Sequence, residues 1–389
     1  MAYLRAIACA NPLSVSVANV ATGRQEPPLA TPPAGTGYGC AFSPDGALLA
    51  VAHNASPYIN IYNTSDWSKV ANPATLPTGA SNGCAFSPDG ALLAVVHSTS
   101  PYITIYNTSD WSKVANPATL PTGIGYGCAF SPDGALLVVA HSISPYITIY
   151  NTSDWSKVAN PATLPASTSY GCAFSPDGAL LAVAHSGSPY VTIYNTSGWS
   201  KVSNPATLPA NTANGCAFSP DGALLAVAHY NSPYITIYNT SSWSKVANPA
   251  TLPPNNANGC AFSPDGALLA VAHNSSPYVT IYNTSDWSKA AGVVPIYDTA
   301  RAVSFVAAGA LTIQGEVRDI DGLVASRRVR AYVRSSGDKC AETTSSAIDG
   351  TYELKVYEGD VEYDIQFMAD PLENLNDLFY ARTTGGTVP

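Results

Sequence analysis

Six histidines recur at a fixed interval of 44 residues (His53, His97, His141, His185, His229, His273), and they are the first candidates for chemistry in this chain. Imidazole ligates metals and carries protons near neutral pH, so a ring of them suggests a metal centre. Their placement argues against it, because equivalent positions in successive repeats sit much farther apart than the roughly 2 Å bonds of an imidazole-bound metal allow. The same interval separates Cys40, Cys84, Cys128, Cys172, Cys216 and Cys260, and disulfides would need Cα separations under about 7 Å. Both series are therefore expected to be structural, the imidazoles bridging backbone or hydroxyl groups between repeats and the thiols serving as small buried residues. The Asp of each Ser-Pro-Asp-Gly (Asp45 and its copies) has no second carboxylate at acid–base spacing and reads as a turn former. The Trp series (Trp67, Trp111, Trp155, Trp199, Trp243, Trp287) reads as packing on a fourth strand. No nucleophile elbow, phosphate loop, His-Glu-x-x-His or Cys-x-x-Cys occurs. The expectation is a protein that is not an enzyme, with no catalytic residues, no metal and no cofactor.

The elements that carry these residues follow from the repeat. Its unit, GCAFSPDGALLAVAHxxSPYITIYNTSDWSKVANPATLPxxxxx, begins at Gly39, Gly83, Gly127, Gly171, Gly215 and Gly259. Four candidate strands in 44 residues predict a propeller blade. Strand A is GCAF, and Ser-Pro-Asp-Gly turns it into strand B, LLAVAH, an apolar run suited to burial on both faces. Strand C is YITIYN, a β-branched and aromatic mixture. Strand D lies around WSKV, its edge guarded by Lys and ended by Pro.

The ends of the array predict closure. Leu4 to Asn19 aligns with strands B and C, with Cys9 where a seventh histidine would stand, and the segment to about Pro33 supplies strand D, but no strand A precedes it. The missing strand is Ala302 to Phe305 (AVSF). The expected fold is thus all-β: a seven-bladed β-propeller over residues 1–308, its seventh blade assembled from 3–33 and 300–306 by a strand exchanged between the termini. Loops B–C and D–A lie on one face and loops A–B and C–D on the other, from which anything after residue 308 projects.

Composition changes after Ala310. Residues 311–389 carry 14 of the chain's 26 acidic and 8 of its 17 basic residues. Short strands (LTIQGEVR, RRVRAYVR, TYELKV, VEYDIQFM, LFYART) punctuated by Asp321-Gly322, Ser336-Gly337 and Asp349-Gly350 predict a small antiparallel β-sandwich over 309–389. Only 11% of the whole chain is charged, against about 25% in an average soluble domain. Its net charge of −9 argues against nucleic acid, whose phosphates require a basic face. No apolar run long enough for membrane insertion occurs, and no secretory leader is evident at Met1 to Leu13, so synthesis in a cytoplasm is expected and Asn63 and its sequon copies read as turns.

The six units differ from one another mainly in two places: the pair after each His and the five residues after each Leu-Pro. Both belong to the B–C and D–A loops. They define a candidate recognition face carrying Asn54, Ser98, Thr99, Tyr126, Ser142, Tyr170, Tyr230, Asn231, Asn255, Asn256 and Asn274, because Tyr and Asn give contact area and hydrogen bonding at low entropic cost.

The unit with Phe-Ser-Pro-Asp-Gly resembles a WD-type propeller repeat without its terminal Trp-Asp, and FSPDG with LLAVAH, SPY and TIYN is similar to repeats of bacteriophage and prophage tail-associated proteins. The stretch GEVRDIDGLVASRRVRAYVRSSG, with AIDGTYELKVYEGDVEYDIQF and NDLFYARTTGGTVP, resembles the carboxypeptidase-regulatory-like, transthyretin-like sandwich of phage tail proteins, at Arg327, Arg328, Arg330, Asp349, Gly350, Tyr352, Asn376, Leu378, Tyr380 and Arg382. The resemblance implies a virion protein made in the host cytoplasm and present in multiple copies per particle. Its sandwich would dock on other tail proteins through Arg327, Arg328, Arg330, Tyr352, Tyr380 and Arg382, and its propeller face would meet a host cell-surface glycan, a host protein or another tail protein. The alternative is a bacterial propeller scaffold or adhesin with no virion role.

Overall fold

The repeat sequence folds six times into the same antiparallel sheet. In the first unit strand A is Gly37–Phe42, strand B Leu48–His53 and strand C Ile59–Asn63. They are ordered A-B-C. The later A strands are Ser81–Phe86, Gly125–Phe130, Ser169–Phe174, Ala213–Phe218 and Ala257–Phe262. This computed structural model describes residues 3–9, 15–19, 29, 31–290, 299–307, 311–316, 328–333, 339–344, 351–356, 363–368 and 379–383. The chain divides into two compact units, Tyr3–Ala307 and Ala308–Pro389 with Met1–Ala2.

Within the first compact unit the A–B turn is built as its residue types require. Ser43 Oγ donates to Asp45 Oδ1 at 2.5 Å, Ala47 N donates to the same carboxylate oxygen at 3.0 Å, and Gly46 takes φ 73°. The Asp series is thus a turn former, and these bonds hold the Asp45 carboxyl below its ordinary 3.8. Thr64 Oγ1 donates to Gly46 O at 2.5 Å, joining the C–D turn to the A–B turn. Strand B is buried on both faces. Ala50, Ala52, Ile59 and Ile61 of one unit pack against Leu93, Val95 and Tyr106 of the next, small side chains facing large ones. The same cluster recurs between later units.

Strand D departs from expectation. It shrinks to a single bridge, Tyr62↔Lys69 and its equivalents, except in the fourth unit, where Ser200–Lys201 pairs with Tyr194 and Asn195. The physical reason is a competing turn. Asp66 Oδ1 takes the Ser68 amide at 2.9 Å, and the Trp between them sits at φ 56°, outside any strand geometry. In the fourth unit Gly198 replaces that Asp, removing the competitor. The Trp series therefore packs from a turn rather than from a strand, with Trp67 buried beside Tyr62.

A further sheet has the order Val15–Asn19, Tyr3–Cys9, Ala300–Ala307. Arg5 pairs with Ala18 on one side and with Phe305 on the other. Cys9 opposes Ala300 as His53 opposes Gly37. Val17 and Leu29 pack against Leu49, Val51 and Tyr62, and Val303 and Ala300 against Ala270, Ala272 and Ile281, so this sheet is gripped on both sides like the others. Residues 10–14, 20–28 and 30, within the expected seventh blade, lie outside the described residues. The whole of Tyr3–Ala307 is a run of repeated antiparallel sheets in a propeller-like arrangement. Each A strand packs beside the next, and Ala300–Ala307 lies beside both Ala257–Phe262 and Gly37–Phe42.

The A strands approach one another so closely that side chains are excluded at one position. A Cβ placed on Gly127 would lie 2.7 Å from Tyr170 O and 3.1 Å from Gly171 Cα, and one on Gly39 2.9 Å from Gly83 Cα. At Gly259 the corresponding contact relaxes to 3.5 Å, against Arg301 O, and the next strand carries Ala302. Gly127→Ala is therefore expected to cost about 1–3 kcal/mol through overpacking, and Gly259→Ala under about 1 kcal/mol, where an ordinary van der Waals contact replaces a clash. Urea unfolding of the two variants checks this; equal midpoints would refute the spacing argument.

The second unit contains two sheets. Leu311–Glu316 pairs antiparallel with Thr351–Val356, and four strands follow the order Lys339–Thr344, Arg328–Val333, Tyr363–Met368, Phe379–Thr383. Arg328 and Arg330 fall on the second strand of the four, opposite Met368 and Gln366, while Tyr380 and Arg382 pair with Gln366 and Asp364 and Tyr352 with Gly315. Arg327, Asp349, Gly350, Asn376 and Leu378 lie outside the described residues.

Candidate functional site

One irregularity occurs in every sheet of the first unit, and it builds the site. In the A–B ladder of the first repeat Gly37 pairs with His53 and Gly39 with Ala52, so Tyr38 is skipped. The same bulge skips Asn82, Tyr126, Tyr170, Asn214 and Asn258, and in the terminal sheet Arg301. A β-bulge leaves its extra residue unpaired and re-aims the side chain. All seven bulge residues, with the Gly-Cys pair that follows each of the first six, line a single cavity of about 590 Å³.

Five contacts from these side chains reach across neighbouring A strands. Asn82 Nδ2 donates to Gly125 O at 2.8 Å, Asn214 Nδ2 to Ala257 O at 2.8 Å, and Asn258 Nδ2 to Ala300 O at 2.7 Å, each bond reaching the following A strand. Tyr126 and Tyr170 rings lie 5.1 Å apart. The Arg301 guanidinium stands 5.0 Å over the Tyr38 ring, a cation–π pair. Desolvation and the Tyr170 neighbour raise the Tyr126 hydroxyl above its ordinary 10.0.

The two variable loop classes border this ring and bind one another. The amide after each His donates to the third residue after the Pro that precedes the D–A loop, Pro33 in the first case and the Pro of Leu-Pro in the others: Asn54 N to Thr36 O, Ser98 N to Ala80 O, Ser142 N to Ile124 O, Ser186 N to Thr168 O, Tyr230 N to Thr212 O and Asn274 N to Asn256 O, at 2.9–3.2 Å. Several predicted contact residues are occupied by this work. Asn54 Oδ1 accepts from Thr36 N, Asn255 Nδ2 donates to Ser275 Oγ and its Oδ1 accepts from Asn256 N, and Asn274 Oδ1 accepts from Asn258 Nδ2. Thr99 presents its carbonyl to His97 Nδ1 at 2.8 Å. Tyr230 is 53% exposed and Asn231 beside it is exposed, so this pair projects outward.

The histidines sit beneath these loops, fully buried. His97 Nε2 meets Thr104 Oγ1 at 3.0 Å, and the pattern repeats at His141, His185, His229 and His273; in the first unit Asn60 replaces the Thr. The imidazole thus joins strands B and C of one sheet, because the partner seven residues on lies directly across the hairpin; the expected bridge to a hydroxyl of the preceding repeat is found at two of them, Thr78 Oγ1 lying 3.4 Å from His97 Nδ1 and Thr122 Oγ1 3.5 Å from His141 Nδ1. A shorter contact between repeats, present throughout, is made by Tyr106 Oη, which donates to Thr75 O at 2.8 Å, and by its copies. Burial pushes the imidazoles of His97, His141, His185, His229 and His273 down to about 4. The cysteines are half-buried in the cavity wall, not fully buried, because strand A faces the cavity. Desolvation still pushes the Cys216 thiol up to about 12.

No protein-family model matches this chain. No curated protein matches it either. Among solved structures the chain is similar to Kuenenia stuttgartiensis hydrazine synthase, with 19% sequence identity and a TM-score of 0.56 over 64% of this chain and 77% of that one. At that identity the likeness speaks for the fold alone.

Sequence reasoning singled out Tyr126 and Tyr170 but not the other five bulge residues. Asn82, Asn214 and Asn258 close the variable stretch after Leu-Pro, and the signal that could have found them is that a single column, the residue before Gly-Cys, reads Tyr, Asn, Tyr, Tyr, Asn, Asn. Tyr38 precedes the first unit and Arg301 follows the last, so a comparison of six units omits both.

Proposed function

We propose that residues 1–308 form a seven-bladed β-propeller, closed by exchange of Ala300–Ala307 into the sheet of Tyr3–Cys9, that acts as a binding module and not as an enzyme. The observation that carries this reading is the ring of seven bulge residues, all Tyr, Asn or Arg, opening a cavity beside the diversified loops. The groups with catalytic potential support it. Among the described residues of the first compact unit the imidazoles are buried and too weakly basic to be protonated at neutral pH, the thiols of Cys84, Cys128, Cys172, Cys216 and Cys260 are pushed well above the range of a thiolate nucleophile, and the Ser-Pro-Asp-Gly carboxylates are tied into turns. The two sheets of residues 309–389 are consistent with the transthyretin-like sandwich that the sequence resembles, and the setting that resemblance supports is a phage tail, with the sandwich docked to the particle and the propeller face turned to the host surface or a neighbouring tail protein.

Two experiments test this. Replacing Tyr230 and Asn231 by Ala should weaken cell binding by about tenfold, the effect of losing one exposed aromatic anchor. Removing residues 311–389 should abolish incorporation into particles. Unchanged incorporation would refute the docking role, and unchanged cell binding would refute the recognition face.

A further inference from the structure

The cavity mouth has a chemistry of its own. Of its seven bulge residues six are neutral and one is cationic, and the cation, Arg301, comes from the one sheet assembled from both chain ends. Its guanidinium lies over Tyr38 and has no carboxylate partner among the described residues. A guanidinium so placed offers a planar fork that matches a single carboxylate. Three tyrosines supply amphipathic faces and hydroxyls. Asn82 and Asn214 each spend one of two Nδ2 donors on a backbone carbonyl, which leaves each with one N–H donor and the Oδ1 acceptor, a pair that matches hydroxyl groups able both to donate and to accept. The volume of about 590 Å³ falls within the range of small-molecule pockets. A polyanion is a poor match, since one cation in a chain of net charge −9 cannot neutralise several phosphates.

We infer that the cavity mouth binds an acidic saccharide, a short uronic-acid-containing oligosaccharide whose carboxylate is held by Arg301 and whose sugar rings lie against Tyr38, Tyr126 and Tyr170. This inference rests on the reading of the same face as a recognition surface and gives that face its ligand class. The bulges make the site possible: a side chain that pairs with no opposing residue can be Tyr, Asn or Arg without disturbing the ladder behind it.

The test uses the full-length protein and trigalacturonic acid, with the carboxyl-reduced neutral trisaccharide as its match and a free-acid tripeptide as a third probe, read by titration calorimetry and saturation-transfer NMR. Binding of the uronate should fall at least about tenfold on carboxyl reduction and in Arg301→Gln, the worth of one charge-assisted contact, with partial recovery in Arg301→Lys. Tyr126→Ala should weaken both trisaccharides, and thermal melting of each variant controls for folding. Equal binding of charged and neutral sugars, indifference to Arg301→Gln, or tripeptide binding as tight as uronate binding would overturn the assignment. If no saccharide binds while the Tyr230 and Asn231 variant still loses cell binding, this inference falls and the recognition face stands. If both tests are negative, both fall.

Discussion

Acidification from pH 6.5 to pH 4 is expected to unfold the Tyr3–Ala307 unit over a narrow interval. Five imidazoles ordinarily near 6.5 are held at about 4 by burial, and His53 is shifted in the same direction. The unfolded chain therefore binds more protons than the folded one between those values, so the stability that neutral, buried imidazoles confer is complete above 6.5 and is lost progressively as the pH falls towards 4. Each such group makes the folded state less stable by on the order of 3 kcal/mol once the pH is below both values. Five of them approach about 15 kcal/mol, the upper end of what a folded domain has to lose. The turn carboxylates cannot be responsible for this window. Asp45 and Asp89 titrate below 3.8, so their contribution is lost only at still lower pH. Near-UV circular dichroism against pH, with calorimetric proton uptake near pH 5, measures the effect. A folded signal at pH 3.5, or uptake of a single proton, would show that the buried imidazoles do not govern acid stability.

Breaking the terminal sheet is the second large expectation. Ala6 pairs with Val17 on one side and Ser304 on the other, so Ala6→Pro removes a donor in a central strand that has no edge to hide on. Under the seven-blade proposal this opens the ring at its only non-covalent junction and leaves strand edges free to pair with another copy. A fall in the melting midpoint of about 10 °C or more is expected, given that each kcal/mol moves a domain of this size by a few degrees. Sedimentation should show concentration-dependent association. A monomer with an unchanged midpoint would exclude this sheet as the closure. Ala74→Pro, at an exposed position outside every strand, serves as the control.

Much of this architecture was legible because the repeat restates its instructions. Ser-Pro-Asp-Gly specified the A–B turn, LLAVAH a doubly buried strand, and the alignment of Ala302 to Phe305 with GCAF specified a pairing that is found at Ala6 with Ser304. Strand D was misjudged because WSKV has the composition of a strand, whereas in four units an Asp, and in the fifth Ser242, captures the amide of the Ser two residues on and ends pairing after one bridge. The histidine partners were misplaced for a related reason: sequence periodicity marks which residues are equivalent, but the hairpin decides that the residue seven positions on is the neighbour. The bulges were illegible, since strand A is a short run of small and half-buried residues with no alternation for an extra residue to interrupt, and the bulge shows only when the register is counted from both sides.

The glycine track along the A strands also bears on how such a gene can change. Tandem copies this similar invite unequal crossover, which would delete or insert whole units of 44 residues. In the closed ring proposed above, deletion would draw the remaining inner strands onto a tighter arc, yet at Gly127 there is already no room for one more carbon atom. Insertion would only widen the arc, so the backbone itself sets a floor on copy number and leaves expansion as the open direction of drift.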